Sequence, residues 1–219
     1  MFIGQVGVGK TTAICHLTGL TAKRQKRKKG RTGREVPVDV IEDLMATGSG
    51  FTTICEVVVR AAERTRIAVT PYELSEVERT ISDFCTSIWQ KVYPDAPDAG
   101  GASSEQQINF PPELVRAVRN MVKLPEGQRS DDDAAIHRAR RFKRDQFEAF
   151  RQDVMDGARL DQRTVTELDC PDNDADPKRW IKDTFDDINL ARLDSVSIPR
   201  RITLEVAPDL LSPQMKRVD

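Results

Sequence analysis

The chain is poor in aromatic residues, which make up 5% of its 219 positions. It has two tryptophans, two tyrosines and eight phenylalanines, few for a globular enzyme and in keeping with a modest core. Cysteines are few and far apart, at positions 15, 55, 85 and 170. There is no C-x-x-C pair, and with two histidines no Cys/His cluster has zinc spacing. Free, reduced thiols of a cytosolic protein are expected. No apolar run reaches the roughly 20 residues of a membrane-spanning helix. The N-terminus lacks the charged start and apolar stretch of a signal peptide, so a cytoplasmic location is expected. An excess of one charge is also missing: 34 Lys and Arg stand against 35 Asp and Glu, so net charge names no partner. Charged residues nevertheless make up 32% of the chain, which predicts exposed helices and loops around a modest core. The length allows one large domain or two small ones.

The most informative stretch is GQVGVGKTT, Gly4 through Thr12. Gly4, Gly9, Lys10 and Thr11 satisfy the phosphate-loop pattern G-x-x-x-x-G-K-[ST]. The glycines permit backbone angles and close approach that side chains would block. Backbone N–H groups of Val6, Gly7, Val8, Gly9, Lys10, Thr11 and Thr12 can then converge on phosphate oxygens as an anion nest. A helix starting here would add its positive end. In such a site Lys10 reaches the β- and γ-phosphates and the Thr11 hydroxyl holds Mg²⁺. Ala13, Ile14 and Leu17 recur at helical spacing, and Gly19 suits a helix end. The competing reading is a chance match in a Gly-rich turn. Only Met1–Phe2–Ile3 stand where a buried strand would precede the loop.

Downstream, KRQKRKKGRTGR (Lys23 to Arg34) has no apolar residue and is expected to be a solvated loop. It could contact nucleic acid, an anionic surface or a protein partner. Charge that merely keeps an insertion soluble is the simpler account, since no aromatic residue is interleaved. Ile54 to Val59 and Ile67 to Val69 predict two strands joined as a hairpin. Thr70-Pro71-Tyr72-Glu73 predicts a helix start, with Thr70 as cap and a helix to about Tyr93. Val77, Ile81, Phe84, Cys85 and Ile88 form its apolar stripe. Asp95 to Gln107 reads as loop, and Pro112 to Leu124 as a short helix with Leu114, Val115, Val118 and Val122 inward. Ser130 to about Asp156 is expected to be one long charged helix. Asp176-Pro177 should open another to about Leu190, after an acidic loop from Cys170. Ser195 to Ile198 and Ile202 to Val206 read as strands. His16 and His137 are expected on helix surfaces, Cys55 and Cys85 in the core, and Trp89 and Trp180 as packing anchors. No internal repeat is visible. The fold class expected is α/β: an incomplete P-loop nucleotide-binding core with a mainly helical insertion. Its boundaries fall at 1–70 for the phosphate-loop portion, 71–194 for the helical insertion and 195–219 for strands returning to the core.

A phosphate loop, a helix, a Gly/Thr-rich loop and a strand together resemble the opening of P-loop GTPases, dynamin-like and translation-factor classes included. In that family a threonine after the first helix closes over the γ-phosphate and binds Mg²⁺. The resemblance offers Thr52 and Thr53 in ATGSGFTTICEVVV for this role, with Thr47 less well placed. The alternative is that Thr52 and Thr53 simply favour the start of a strand. The resemblance covers about residues 1 to 70. It implies a purine nucleoside triphosphate with Mg²⁺, GTP slightly ahead of ATP, and hydrolysis. Departures are plain. Ile67 to Val69 runs into Thr70-Pro71 rather than D-x-x-G, and no N-K-x-D or T-K-x-D occurs. No apolar run ends in Asp, and Glu205 lies inside its strand. Glu56 and Glu73 are the nearest acids for orienting water, each equally readable as a surface carboxylate. The terminal Val218-Asp219 suits a strand entering D-x-x-G, so the chain is expected to be a piece of a longer NTPase, or a gene model begun too late. In-frame stop codons close to both ends would refute that. The alternative function is a helical interaction module, in which the charged helices and the basic segment engage a partner and nucleotide acts only as a switch.

Overall fold

The computed structural model describes residues 10–29, 35–45, 55–95, 112–124 and 133–212. Within them the chain is mixed α/β, with six α-helices and two sheets. It forms two compact units. One comprises Met1–Ala68, Glu167–Asp186 and Ile202–Asp219, the other Val69–Thr166 and Asp187–Arg201. Among the described residues, no helix is long and apolar enough to cross a membrane.

The first unit opens with α1 (Lys10–Thr18), followed directly by β1 (Thr21–Lys29). Gly19 ends the helix as expected, at φ +78°, the left-handed region that favours glycine. A Cβ there would also lie 2.8 Å from the Ser212 backbone nitrogen. The buried line of α1 runs through Cys15 and Thr18, continuing to Leu20. Leu17, expected on that line, is instead 55% exposed. A helix of nine residues buries one narrow stripe, and Cys15 and Thr18, three apart, occupy it.

The second correction concerns the basic segment. Its first part is not loop but β1, paired antiparallel along its whole length with β2 (Glu35–Asp43). The side chains of Lys23, Arg24, Gln25 and Arg27 are solvated, as expected. The strand persists because a partner supplies what it lacks: Val36, Val38 and Val40 alternate along β2, and Arg24 meets Glu42 at 3.1 Å. Residues 30–34 lie outside the described residues.

The larger sheet has the order β3-β6-β4-β5. Here β3 is Glu56–Ala61, β4 Arg66–Pro71, β5 Glu167–Asp169 and β6 Pro199–Val206. The expected hairpin of β3 and β4 does not form, because β6 lies between them. The reason is electrostatic as well as apolar. Ile202, Leu204 and Val206 are fully buried, and Glu205 reaches arginines on both flanking strands, Arg60 and Arg66. The Ala62 amide donates to the Val206 carbonyl, and the Ala207 amide to the Thr65 hydroxyl, closing the sheet at that end. Ser195 to Ile198 is not a strand; β6 starts at Pro199. Strand β5, three residues long, was not legible beforehand. Helix α6 (Pro177–Asn189) starts as expected, with Asp176 Oδ1 accepting the Arg179 amide at 3.1 Å.

The second unit is helical. Helix α2 (Leu74–Val92) buries Val77, Ile81, Phe84, Cys85 and Ile88, the expected stripe, and Trp89 as well. Its start differs from expectation. Thr70 and Pro71 end β4, where Tyr72 still donates to the Ile198 carbonyl, and the cap is Glu73. Glu73 and Glu76 form a reciprocal capping box, with the Glu73 amide 3.1 Å from Glu76 Oε2. Helix α3 (Pro112–Met121) buries Ala117, Val118 and Met121, with Val122 just beyond; Leu114 and Val115 are half-buried. The single long helix is in fact two, α4 (Asp133–Ala139) and α5 (Phe147–Ala158). Five cations lie between Arg138 and Arg144, and like charges three and four apart disfavour helix. The break is fixed locally: Gln146 Oε1 takes the Lys143 amide at 2.8 Å, and Tyr93 donates to the Phe142 carbonyl at 2.6 Å. Trp89 anchors the core, stacked on Phe150 at 5.4 Å and edge-on to Phe147 at 5.6 Å. Trp180 is half-buried.

Candidate phosphate site at the start of helix α1

The motif's residues divide by what is described. Gly4, Val6, Gly7, Val8 and Gly9 lie outside the described residues, as do Thr52 and Thr53. Lys10, Thr11 and Thr12 form the first turn of α1. The helix therefore begins at the lysine of the motif. The amides of a first turn have no partner inside their own helix and carry the positive end of its dipole.

The far end of α1 is held firmly. Ser212 donates from its backbone nitrogen to the Thr18 carbonyl at 2.8 Å, and from its hydroxyl to the Leu17 carbonyl at 2.7 Å. Lys178 Nζ donates to the Gly19 and Thr21 carbonyls, each at 3.0 Å. A cation at the C-terminal end of a helix also matches its dipole. His16, on the surface as expected, lies 3.4 Å from Asp43 Oδ1. Leu20 accepts from the Leu44 amide at 3.0 Å. These anchors were invisible in the sequence, because Lys178 and Ser212 lie far along the chain and nothing local marks them.

Three acids singled out in the sequence, Glu56, Glu73 and Glu205, are described. Glu73 is occupied as the cap of α2. Glu56 is exposed at the start of β3. Glu205 is buried and bound by two arginines, which hold its carboxyl below the usual carboxylate range; the Arg66 hydrogen bond is the larger cause and Arg60 the next. Among the described residues no three His, Cys, Asp or Glu side chains converge to hold a metal. The more deeply set thiols are held in their neutral form. Burial pushes Cys15 up to about 11 and Cys55 and Cys85 up to about 12. Cys15 and Cys85 are fully buried, Cys55 is half-buried, and His137 is exposed.

Among the described residues, the helical unit has an open groove of about 1000 Å³ between α2 and α5. Four acids and three arginines line it. Arg79 faces Asp83 at 4.0 Å, and Arg151 meets Glu148 at 2.6 Å. No sequence motif pointed to it. Compared with protein families, curated proteins and solved structures, the chain shows no match to any.

Proposed function

We propose that residues 4–12 cradle the phosphates of a purine nucleoside triphosphate, GTP ahead of ATP, and that the site serves Mg²⁺-dependent hydrolysis. The observation that carries this reading is the start of α1 at Lys10, directly behind the glycines of a complete phosphate-loop pattern. The residues fit the group. A first helical turn offers free amides to an anion, and the motif adds a lysine and a hydroxyl where phosphate and metal need them. Bound Mg²⁺ would neutralise charge on the phosphates. Lys10 binds phosphate, and Thr11, with Thr53 or Thr52 from the later loop, supplies hydroxyls to the metal. The clamps at Gly19 and Thr18 keep the helix from shifting when charge arrives at its other end.

Equilibrium binding of labelled GTP and ATP with Mg²⁺ tests the reading and ranks the two bases. Lys10→Ala should abolish binding. Alanine is a good helix former, so an unchanged circular dichroism spectrum is expected. Unchanged affinity for both nucleotides in the variant would refute the site. Turnover with Mg²⁺, lost in the same variant, separates a hydrolase from a nucleotide-gated interaction module.

A further inference from the structure

The four-stranded sheet has two unlike edges. At one lies β5, three residues long, with Glu167 and Asp169 exposed on either side of Leu168. A short strand with an acid at each end repels a copy of itself, which is one way that edges avoid pairing. At the other edge, among the described residues, lies β3, six residues long and reading EVVVRA. It has no lysine and no proline, and its three valines are half-buried. Its charged residues, Glu56 and Arg60, are of opposite sign, so they attract an antiparallel copy rather than repel it. Two alternations along β3 then agree. The first is in the backbone. Ala62, the next residue, donates its amide to the Val206 carbonyl of β6. Backbone N–H and C=O groups turn to opposite sides of a strand at successive residues. Those of Val58 and Arg60 therefore face β6 as well, and those of Val57, Val59 and Ala61 face the edge. The second alternation is in the side chains, which places Glu56, Val58 and Arg60 on one face of the sheet.

We propose that β3 pairs antiparallel with β3 of a second copy of this chain, about a twofold axis at Val58. That register satisfies both alternations. Val57 lies across from Val59 of the second copy, and the two exchange their edge-facing N–H and C=O groups. Val58 meets Val58, and Glu56 meets Arg60 on either side of the axis. Moving the register by two residues, the smallest step that keeps edge-facing groups paired, sets a charged residue across from Val58 instead. Arg60 holds Glu205 through Nε and Nη2 and is 61% exposed, so its guanidinium has room for a second carboxylate. Glu56 is exposed and interacts within its own chain as well, and a carboxylate accepts from more than one donor. A twofold contact is isologous, so every favourable pair occurs twice. A strand pair alone is a small interface, and the association is weak and concentration-dependent.

The test is sedimentation equilibrium of the whole chain from about 5 to about 500 µM, the range for an interface of this size. A shift from monomer to dimer is expected. Val59→Pro removes an amide turned to the edge and none turned to β6. The circular dichroism spectrum should persist while association weakens at least about tenfold. Glu56→Lys turns both opposite-charge pairs into like-charge pairs and should also weaken association about tenfold. Cross-linking reads the register. Opposite residues of a non-hydrogen-bonded pair have Cα atoms about 4.5 Å apart, within reach of a disulfide. Val58→Cys should therefore form an intermolecular disulfide under mild oxidation. Val57→Cys stands diagonal to its copy at about 7–8 Å and should not, and neither should the wild-type chain. A wild-type chain that stays monomeric throughout would overturn the proposal. So would unchanged association in Val59→Pro or in Glu56→Lys, or a cross-link that forms as readily in Val57→Cys as in Val58→Cys.

Discussion

Replacing Glu205 with glutamine should cost about 2 kcal/mol, and the structure sets that size. The side chain is 4% exposed and accepts from Arg60 Nε at 2.8 Å, from Arg60 Nη2 and from Arg66 Nε. Hydrogen bonds to a charged group are worth about 1.5–3 kcal/mol, roughly half of it from the charge. Orphaning a buried charge costs about 3–5 kcal/mol, but that figure does not apply in full. Arg60 and Arg66 are 61% and 37% exposed, so water takes over both guanidiniums once the carboxylate is gone. With a urea slope of about 2 kcal/mol/M, the unfolding midpoint should fall by about 1 M. If the two units melt separately, the shift belongs to the transition that loses the sheet's circular dichroism. The pH dependence follows from the depressed carboxyl. A carboxyl held low in the fold stabilises above its unfolded value of 4.5 and loses that contribution as pH falls through the folded value. The gap between wild type and variant should therefore be full at pH 7 and shrink below about 4.5. A midpoint shift under about 0.25 M, or a gap unchanged at pH 3, would mean that the Glu205 carboxylate does not bridge Arg60 and Arg66 as a buried anion.

Arg163, whose side chain is 1% exposed, donates to the carbonyls of Ala158, Leu193, Val196 and Met121 at 2.7–3.3 Å. Arg163→Ala should destabilise the helical unit by about 3 kcal/mol in urea unfolding, and Arg163→Lys should recover little, since one ammonium cannot reproduce the planar fork. A loss under about 1 kcal/mol would show that water replaces the guanidinium. The thiols give an alkaline signature of opposite sign to that of Glu205. Their folded values lie above the unfolded 9.0, so stability is full below pH 9 and falls as pH rises beyond it. Iodoacetamide at pH 8 should label Cys15 and Cys85 only after unfolding, and rapid labelling of either in the native protein would contradict their burial.

Where the sequence was legible, one segment held its own determinants. The stripe of α2 was readable because Val77, Ile81, Phe84, Cys85 and Ile88 recur at 3.6-residue spacing and bury together. Gly19 and Asp176 were readable because a positive φ and a cap are local demands. The candidate site was legible only as a motif, with a helix expected behind it, and α1 indeed starts at Lys10. The clamps on that helix come from Lys178 and Ser212, and no local pattern announces a partner so distant. The same holds for β6. Adjacent strands make the likeliest hairpin when only turn chemistry is weighed, but Glu205 needed two arginines that a β3–β4 hairpin would have brought together without it.

The ribbon of β1 and β2 separates what a strand's own residues say from what its partner adds. TAKRQKRKK has one short apolar residue, Ala22, and by propensity alone belongs in solvent. The pairing is written instead in EVPVDVIED, where Val36, Val38 and Val40 repeat with period two. That alternation was available in the sequence, and following it would have predicted β2 and required a neighbour. Antiparallel pairing with β2 fixes the register along the whole of β1, and a slip of one residue would exchange the faces of a whole strand.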